Sequence, residues 1–476
     1  MINLIRRRFA GKSIVLLGFG REGQSTYLLL RKVFPDKLIA IADLNDGIRD
    51  NPLLTGDNCL EFITGEGYLQ KTCTFDYIFR SPGIPVWNLN SSGSDLYAVK
   101  PDENGVSLNP GSQFTSQTEL FLEFYSKQVI GVTGTKGKST TSSLIHHILK
   151  TAGRDALLVG NIGNPVFHFI DLITPETVIV FELSSHQLEF LKRAPNISVL
   201  LNLYQEHLDA YESYEAYQLA KINITKFQKH GDYLVFNADD RLVEQLVAPY
   251  LQQRQGFPFS LNGRLSRGGF IEHGDVCFSD GIKTTPVWKV HQDRFLRGEH
   301  NLKNILAAVN VAMISGINTE DIEDGIATFK GLEHRLEYVG EFRGIHFYND
   351  SIATIPEACM EAVKAIPNVD TLVAGGFDRG IDYSGLGAFL SNSSISNILL
   401  VGTAGKRIMK CIELHGINGK NVVHLNHFDE FQPIAFQVTR KGYACLLSPA
   451  AASYDEFKNF EERGIRFRRL VKGDSA

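Results

Sequence analysis

One octapeptide, Thr133-Gly134-Thr135-Lys136-Gly137-Lys138-Ser139-Thr140, constrains this chain more than any other stretch. It follows an apolar run at residues 129–132 and opens a helical pattern near Lys138. A glycine-rich loop between a buried strand and a helix aims backbone amides and the helix N-terminus at one anion. The strand feeding it then belongs to a sheet crossed over by helices. Lys138 would neutralise terminal phosphates there, and Ser139 or Thr140 can bind Mg²⁺, so ATP or GTP is the implied ligand. The spacing departs from a strict P-loop, because Val132 stands where the first glycine would be.

The same alternation of apolar strands and helical stretches runs through the chain. A strand at 13–18 leads into Gly18-Phe19-Gly20-Arg21-Glu22-Gly23 and a helix, and a second at 38–42 ends at Asp43. A third, at 77–79, ends at Ser81-Pro82-Gly83, and the Ser-, Asn-, Pro- and Gly-rich stretch from Asn88 to about Ser116 reads as a domain junction. Strands at 178–181 and 198–201, hairpins between Gly256 and Gly298, and helices at 301–314 and 319–329 complete a middle region. After Gly331 strands recur at 345–348, 371–374, 398–401 and 444–447. The expected fold is α/β in three domains: Rossmann-like over 1–116, P-loop-ATPase-like over 117–331, and Rossmann-like again over 332–476. A length of 476 residues fits three domains at roughly 150 residues each.

Composition excludes some classes. With 43% apolar and 21% charged residues the chain is neither disordered nor collagen-like. A net charge of -5 makes no demand for nucleic acid or an anionic membrane. Six scattered cysteines, without a CxxC pair, suggest neither a disulfide framework nor structural zinc. No apolar run reaches the ~18 residues of a membrane helix. Arg6-Arg7-Arg8-Phe9 faintly resembles a twin-arginine signal, but the following apolar stretch is interrupted and lacks a small-residue cleavage site, so a cytoplasmic protein is expected.

The turn from Gly18 to Gly23 is a full GxGxxG, and Asp43 lies 20 residues beyond it. By motif alone, this is a dinucleotide site with Asp43 on a ribose hydroxyl, or simply a tight turn needing small residues. Glu182 ends an apolar strand, where a carboxylate can hold Mg²⁺ or its water, or be an ordinary loop acid. His207 follows the next strand and is either a ligand on the same rim or a surface residue. Lys221 shows nothing by itself; a solvated helix position accounts for it. Asn301 and Asn304 share a helical face, Arg335 could meet a phosphate with its guanidinium fork, and Asp350 follows a strand at a rim where α/β sites form.

Together these residues resemble the Mur ligase family, the ATP-dependent amide-forming enzymes of peptidoglycan precursor synthesis. The likeness covers nearly the whole chain: 134–140, Glu182, His207, Lys221, His300-Asn301 with Asn304, His334-Arg335 and Asn349-Asp350-Ser351. Four further segments point to the branch that joins D-glutamate to UDP-N-acetylmuramoyl-L-alanine: Gly18-Phe19-Gly20, Ser81-Pro82-Gly83-Ile84, Asn161-Ile162-Gly163 and residues 447–464.

The resemblance implies that the first domain binds UDP rather than NAD, through Gly20, Asp43, Asn45, Ser81 and Asn161. It implies ATP at Gly134 to Thr140, Asn301, Asn304, Arg335 and Asp350, and two Mg²⁺ ions held by Ser139 or Thr140, Glu182, His207 and a carbamylated Lys221. Thr354, Arg379, Ser453 and Phe460 are implied for D-glutamate, and Ser184 and Tyr454 for substrate binding. Lys138, Glu182, His207 and Lys221 would carry the chemistry, an acyl phosphate formed from ATP and then captured by the amino group of D-glutamate. Ligands drawn from three domains would imply closure over ATP. Two positions depart from the family: Ile352 where a lysine is common, and Arg379 where many relatives have lysine. A monomer acting on small molecules is expected, without nucleic-acid or membrane partners.

Three alternatives keep part of this pattern. A folylpolyglutamate-synthase-like ligase shares the ATP chemistry but gives no reason for the N-terminal glycine turn. The glycine turn with Asp43 also allows an NAD-dependent oxidoreductase with an accessory NTPase domain. A P-loop switch would prefer GTP and show no amino-acid-dependent turnover.

Overall fold

Short apolar runs bounded by glycine bury both faces, and every residue of Ile14–Leu17, Val129–Thr133 and Ala444–Leu447 is buried. The computed structural model describes residues 1–84, 113–160, 165–206, 211–290, 295–296 and 298–473. Three sheets carry these strands. Of the expected junction, residues 88–112 lie outside the described residues, as do Asn161 and His207.

Residues 1–290 with 300–326 form one compact unit holding two sheets. The first is parallel, with β1 (Ile14–Leu17), β2 (Ile39–Asp43), β3 (Leu60–Thr64), β4 (Tyr77–Arg80) and β5 (Gln113–Thr115) in the order 3-2-1-4-5. Strand order reverses at β1, so the Gly18–Gly23 turn and Ser81 share the crevice at the strands' C-terminal ends. The second sheet has nine strands: β6 (Val129–Thr133), β7 (Ala156–Gly160), β8 (Val178–Glu182), β9 (Ile197–Leu200), β10 (Tyr233–Asn237), β11 (Gln255–Ser260), β12 (Gly268–Glu272), β13 (Asp275–Ser279) and β14 (Thr284–Lys289). Their order is 14-13-12-11-10-9-6-8-7, parallel from β7 through β12 and closed by the antiparallel β12–β13–β14 meander. One apolar core joins the two sheets, running from Ile5 and Phe9 through Phe79 and Phe121 to Phe181 and Ile224.

The second unit takes residues 291–299 and 327–476. Its sheet contains β15 (Glu337–Phe342), β16 (Ile345–Asn349), β17 (Val369–Gly375), β18 (Asn397–Val401), β19 (Asn421–Leu425) and β20 (Ala444–Leu447), ordered 15-16-20-17-18-19. All pairs are parallel except the β15–β16 hairpin at the edge. The loops leaving β16, β20 and β17 therefore emerge side by side.

Candidate active site

The phosphate loop leaves β6, which lies between β8 and β9. Gly134 (φ +155°) and Gly137 (φ +86°) take backbone conformations that side chains rarely adopt. A Cβ on Gly137 would stand 2.5 Å from Asn304 Oδ1, so Asn304 of the helix Glu299–Ile314 packs directly on the loop. Asn304 Nδ2 donates to Asn301 Oδ1 at 3.1 Å, which brings the two asparagines together. Asn202, just past β9, brackets Lys136: its Oδ1 accepts from Lys136 N at 2.8 Å and its Nδ2 donates to Lys136 O at 2.9 Å. The Lys136 side chain pairs with Glu206 at 2.5 Å.

Two ammonium-type nitrogens converge on this loop. Lys138 Nζ donates to Gly134 O and Thr135 O, each at 2.9 Å, and Lys221 Nζ donates to the same Gly134 O at 2.9 Å. Lys221 comes from the helix Tyr214–Lys226 and is only 2% exposed, with its Nζ 4.8 Å from the Tyr217 ring centre. Burial first, then repulsion from Lys138, drives its pKa well below the ordinary lysine value, against the pull of Glu206 and Glu182. The solvated reading of Lys221 is thus overturned: its amine is held toward the neutral form. Glu182 is the fully buried last residue of β8, in register with Val132. Ser139 and Thr140 lie in the first turn of the helix Lys138–Thr151.

Among the described residues no cluster of three or more His, Cys, Asp or Glu gathers. The donors present are one buried carboxylate and two hydroxyls beside a phosphate loop. That set fits Mg²⁺, which takes few protein ligands and shares its shell with water and phosphate oxygens.

At the first sheet, Gly23 packs against the turn so closely that a Cβ would lie 2.2 Å from Gly18 O. Ser81 Oγ donates to Gly18 O at 2.8 Å. Above Gly20 nothing lies within 4 Å of a Cβ position, leaving the backbone open to a close ligand. Asp43 Oδ2 accepts from Phe19 N at 2.9 Å and Oδ1 from Asn45 N at 3.0 Å, so the carboxylate shapes the turn it was expected to serve. Asn45 Oδ1 in turn accepts from Gly47 N. Ser184 caps the short helix Ser185–Leu188 in a reciprocal box with Gln187. Gln187 Nε2 also donates to Glu22 Oε1 at 2.6 Å, linking the glycine turn to the segment after Glu182. No motif or spacing signals this link, which joins residues 165 apart.

In the second unit, Asp350 is buried, with Oδ2 accepting from Ser448 Oγ at 2.8 Å and Oδ1 from Leu336 N at 3.1 Å. Burial pushes its pKa up to about 7, opposed by those bonds and by Arg335. Arg335 is exposed between His334 (φ +62°) and Leu336 (φ +45°), a strained pair that turns it outward. Thr354 follows β16, Arg379 follows β17, and Ser453, Tyr454 and Phe460 follow β20. Arg379 Nη2 donates to Thr354 O at 3.2 Å, and the Tyr454 ring meets Phe377 at 6.3 Å. Ile352 is half-buried in this loop and offers no charge.

A phosphate loop with two converging lysines and a glycine turn at a second sheet's crevice define an ATP-dependent ligase of the Mur type, and residues 132–312 match the Mur ligase middle domain. The chain is similar to the UDP-N-acetylmuramoylalanine--D-glutamate ligase of Thermoanaerobacter sp. (strain X514), with 31% identity over 97% of this chain and 98% of the relative. It is 37% identical to the enzyme of that name from Geobacillus kaustophilus (strain HTA426), over 83% of each chain. Its fold is like that of the MurF ligase of Thermotoga maritima crystallised with ADP, at TM-score 0.53 and 16% identity over 97% of this chain and 95% of that one. The chain belongs to the UDP-N-acetylmuramoylalanine--D-glutamate ligase family.

Proposed function

We propose that this protein joins D-glutamate to UDP-N-acetylmuramoyl-L-alanine at the expense of ATP, giving ADP and phosphate, in peptidoglycan precursor synthesis. The convergence of Lys138 and Lys221 on Gly134 O, beside buried Glu182, carries this reading. The alanyl carboxylate attacks the γ-phosphorus, its bond to ADP breaks, and an acyl phosphate forms. The amine of D-glutamate then adds to the acyl carbon, a proton leaves the nitrogen, and the tetrahedral intermediate expels phosphate. Lys138 supplies positive charge placed in advance for a transfer between anions, the term that dominates such reactions.

Mg²⁺, held by Ser139 or Thr140, Glu182, His207 and Lys221, supplies further neutralising charge on the phosphates when bound. A neutral Lys221 amine is the form that adds to CO₂, forming an N–C bond and losing a proton to leave an anionic carbamate; its lowered pKa favours this. Gly20, Asp43, Asn45, Ser81, Asn161 and Ser184 are assigned to the nucleotide sugar. Gly134 to Thr140, Asn301, Asn304, Arg335 and Asp350 are assigned to ATP, and Thr354, Arg379, Ser453, Tyr454 and Phe460 to D-glutamate. The domains are taken as 1–116, 117–331 and 332–476, in a cytoplasmic monomer. No helix among the described residues is long and apolar enough to cross a membrane.

Phosphate release from ATP with UDP-N-acetylmuramoyl-L-alanine, measured with D-glutamate, L-glutamate or other amino acids, tests this. Release requiring both the nucleotide sugar and D-glutamate is expected. Release with L-glutamate or another amino acid instead would keep the mechanism and overturn the amino-acid assignment, and no release with any pairing would overturn the ligase.

A further inference from the structure

The largest fully buried side chain among the described residues is a cation: Arg463, in the helix Phe460–Lys472, is 2% exposed. Its guanidinium makes four hydrogen bonds, all to neutral oxygens. Nε donates to Ser351 Oγ at 3.0 Å, Nη2 to Ser351 O at 2.9 Å and to Ala451 O at 3.1 Å, and Nη1 to Ala452 O at 3.2 Å. No carboxylate among the described residues pairs with it. Burying a charge without a directly hydrogen-bonded carboxylate is expensive, so the geometry that holds it invites an account.

The positions of those acceptors say what it is used for. Ser351 leads into Ile352 and Thr354, Ala451 and Ala452 lead into Ser453 and Tyr454, and Ser351 Oγ itself donates to Phe460 O at 2.8 Å. The third neighbouring loop is fitted to the same group: a Cβ on Gly376 would lie 2.2 Å from Ala452 O and 3.1 Å from Arg463 Nη1, and Phe377 N donates to Ala452 O. One planar fork thus ties together the segments bearing four of the five residues assigned to the amino acid. The fifth, Arg379, rests on Thr354 O.

We infer that Arg463 is a positioning residue for the amino-acid subsite: its fork fixes the loops leaving β16 and β20, and its charge, hydrogen-bonded only to neutral oxygens, favours a dicarboxylic amino acid there. The inference rests on the ligase reading. It also accounts for Ile352, because the positive charge missing at that exposed rim stands behind the loop carbonyls instead. Burial lowers the Arg463 pKa to about 10, with Asp455 opposing, so the group still carries its charge at neutral pH. A lysine at 463 would keep charge but lose the fork, and a glutamine would lose both.

Steady-state kinetics of wild type, Arg463→Gln and Arg463→Lys, varying glutamate and ATP separately, test this. Arg463→Gln is expected to raise the glutamate KM at least about 10-fold while the ATP KM stays within about 2-fold, and Arg463→Lys to recover part of the loss. Should the arginine variants fail to fold, Ser351→Ala decides, since it removes the Nε acceptor and the Phe460 link; a rise in glutamate KM alone is expected. A glutamate KM unchanged in the variants, or glutamate and ATP KM raised alike, would overturn the inference and leave the ligase standing. Wild-type protein without glutamate-dependent turnover would overturn both.

Discussion

Glu22, inside the glycine turn, makes a quantitative prediction about stability. It is half-buried; Oε1 accepts from Gln187 Nε2 at 2.6 Å, while Oε2 is shielded from solvent and has no hydrogen-bond partner among the described residues. Burial raises its pKa from 4.5 to about 7, against the pull of Gln187 and Arg80. A carboxyl with a raised folded pKa holds its proton more tightly when folded. Its destabilising effect is therefore absent below pH 4.5, grows between 4.5 and about 7, and is complete above that. At about 1.36 kcal/mol per pKa unit, the complete effect is about 3 kcal/mol, of which about 2.5 develops between about pH 5 and about pH 8.

Glu22→Gln removes the titration and keeps the acceptor for Gln187. The new amide nitrogen has no acceptor at the Oε2 position, which costs roughly 1–3 kcal/mol at every pH. The firm expectation is consequently a difference of differences. The melting temperature of the unit formed by residues 1–290 and 300–326, in the variant relative to wild type, should rise by roughly 3–5 °C between about pH 5 and about pH 8. Asp350 titrates in the same window but is common to both proteins and cancels. Scanning calorimetry of the two proteins at both pH values is the assay. An offset independent of pH would refute the reasoning, because it would mean that Glu22 titrates alike in folded and unfolded chains.

Three further outcomes follow from the site. Lys221→Met should cut kcat at least about 100-fold without raising the nucleotide-sugar KM, checked by phosphate release, because it removes the amine but keeps the buried volume. Gly137→Ala should weaken ATP binding at least about 10-fold by titration calorimetry, since a left-handed alanine costs ~1 kcal/mol and its Cβ displaces Asn304 from the loop. Asp350→Asn should raise the stability of the second unit at about pH 8 but not at about pH 4, seen by urea unfolding, because a carboxyl with a raised pKa destabilises only when ionised.

Both glycine-rich turns were legible because each is a contiguous run whose glycines answer a local backbone demand. Their flanking strands were legible as well, being short apolar runs buried on both faces. Strands β15 and β19 escaped notice because they are edge strands, mostly half-buried and without a continuous apolar run. β10 is apolar, but its pattern differs little from that of a buried helix turn. Of the site, Lys221 looked like any solvated helical lysine, because the carbonyl that holds it lies 87 residues away in sequence. Gln187 and Arg463 escaped for the same reason. Their partners are distant backbone or buried groups, and nothing in residue type or spacing announces them.

Charge around these sites is held in two ways: Arg80 and Lys136 sit in ion pairs with Glu189 and Glu206, whereas other groups rest on neutral oxygens or shift toward their neutral forms. The acids Glu22 and Asp350 have their pKa values raised to about 7, toward the neutral form, while Arg463 stays cationic on neutral carbonyls. Lys138 is held on the phosphate loop by carbonyl oxygens in the same manner. A reaction that gathers a triphosphate, a carboxylate and a dicarboxylic amino acid must overcome repulsion among anions. Fixed cations whose hydrogen bonds fall on neutral oxygens keep their field for the substrates, whereas an ion pair would spend that field internally. Lys221 is the informative exception. Burial beside Lys138 drives it away from the ammonium form, so it adds little to that field as an amine. On the proposed reading, conversion to a carbamate would make it an oxygen donor near Glu182, so that one lysine would serve as a metal ligand where its neighbour serves as a cation.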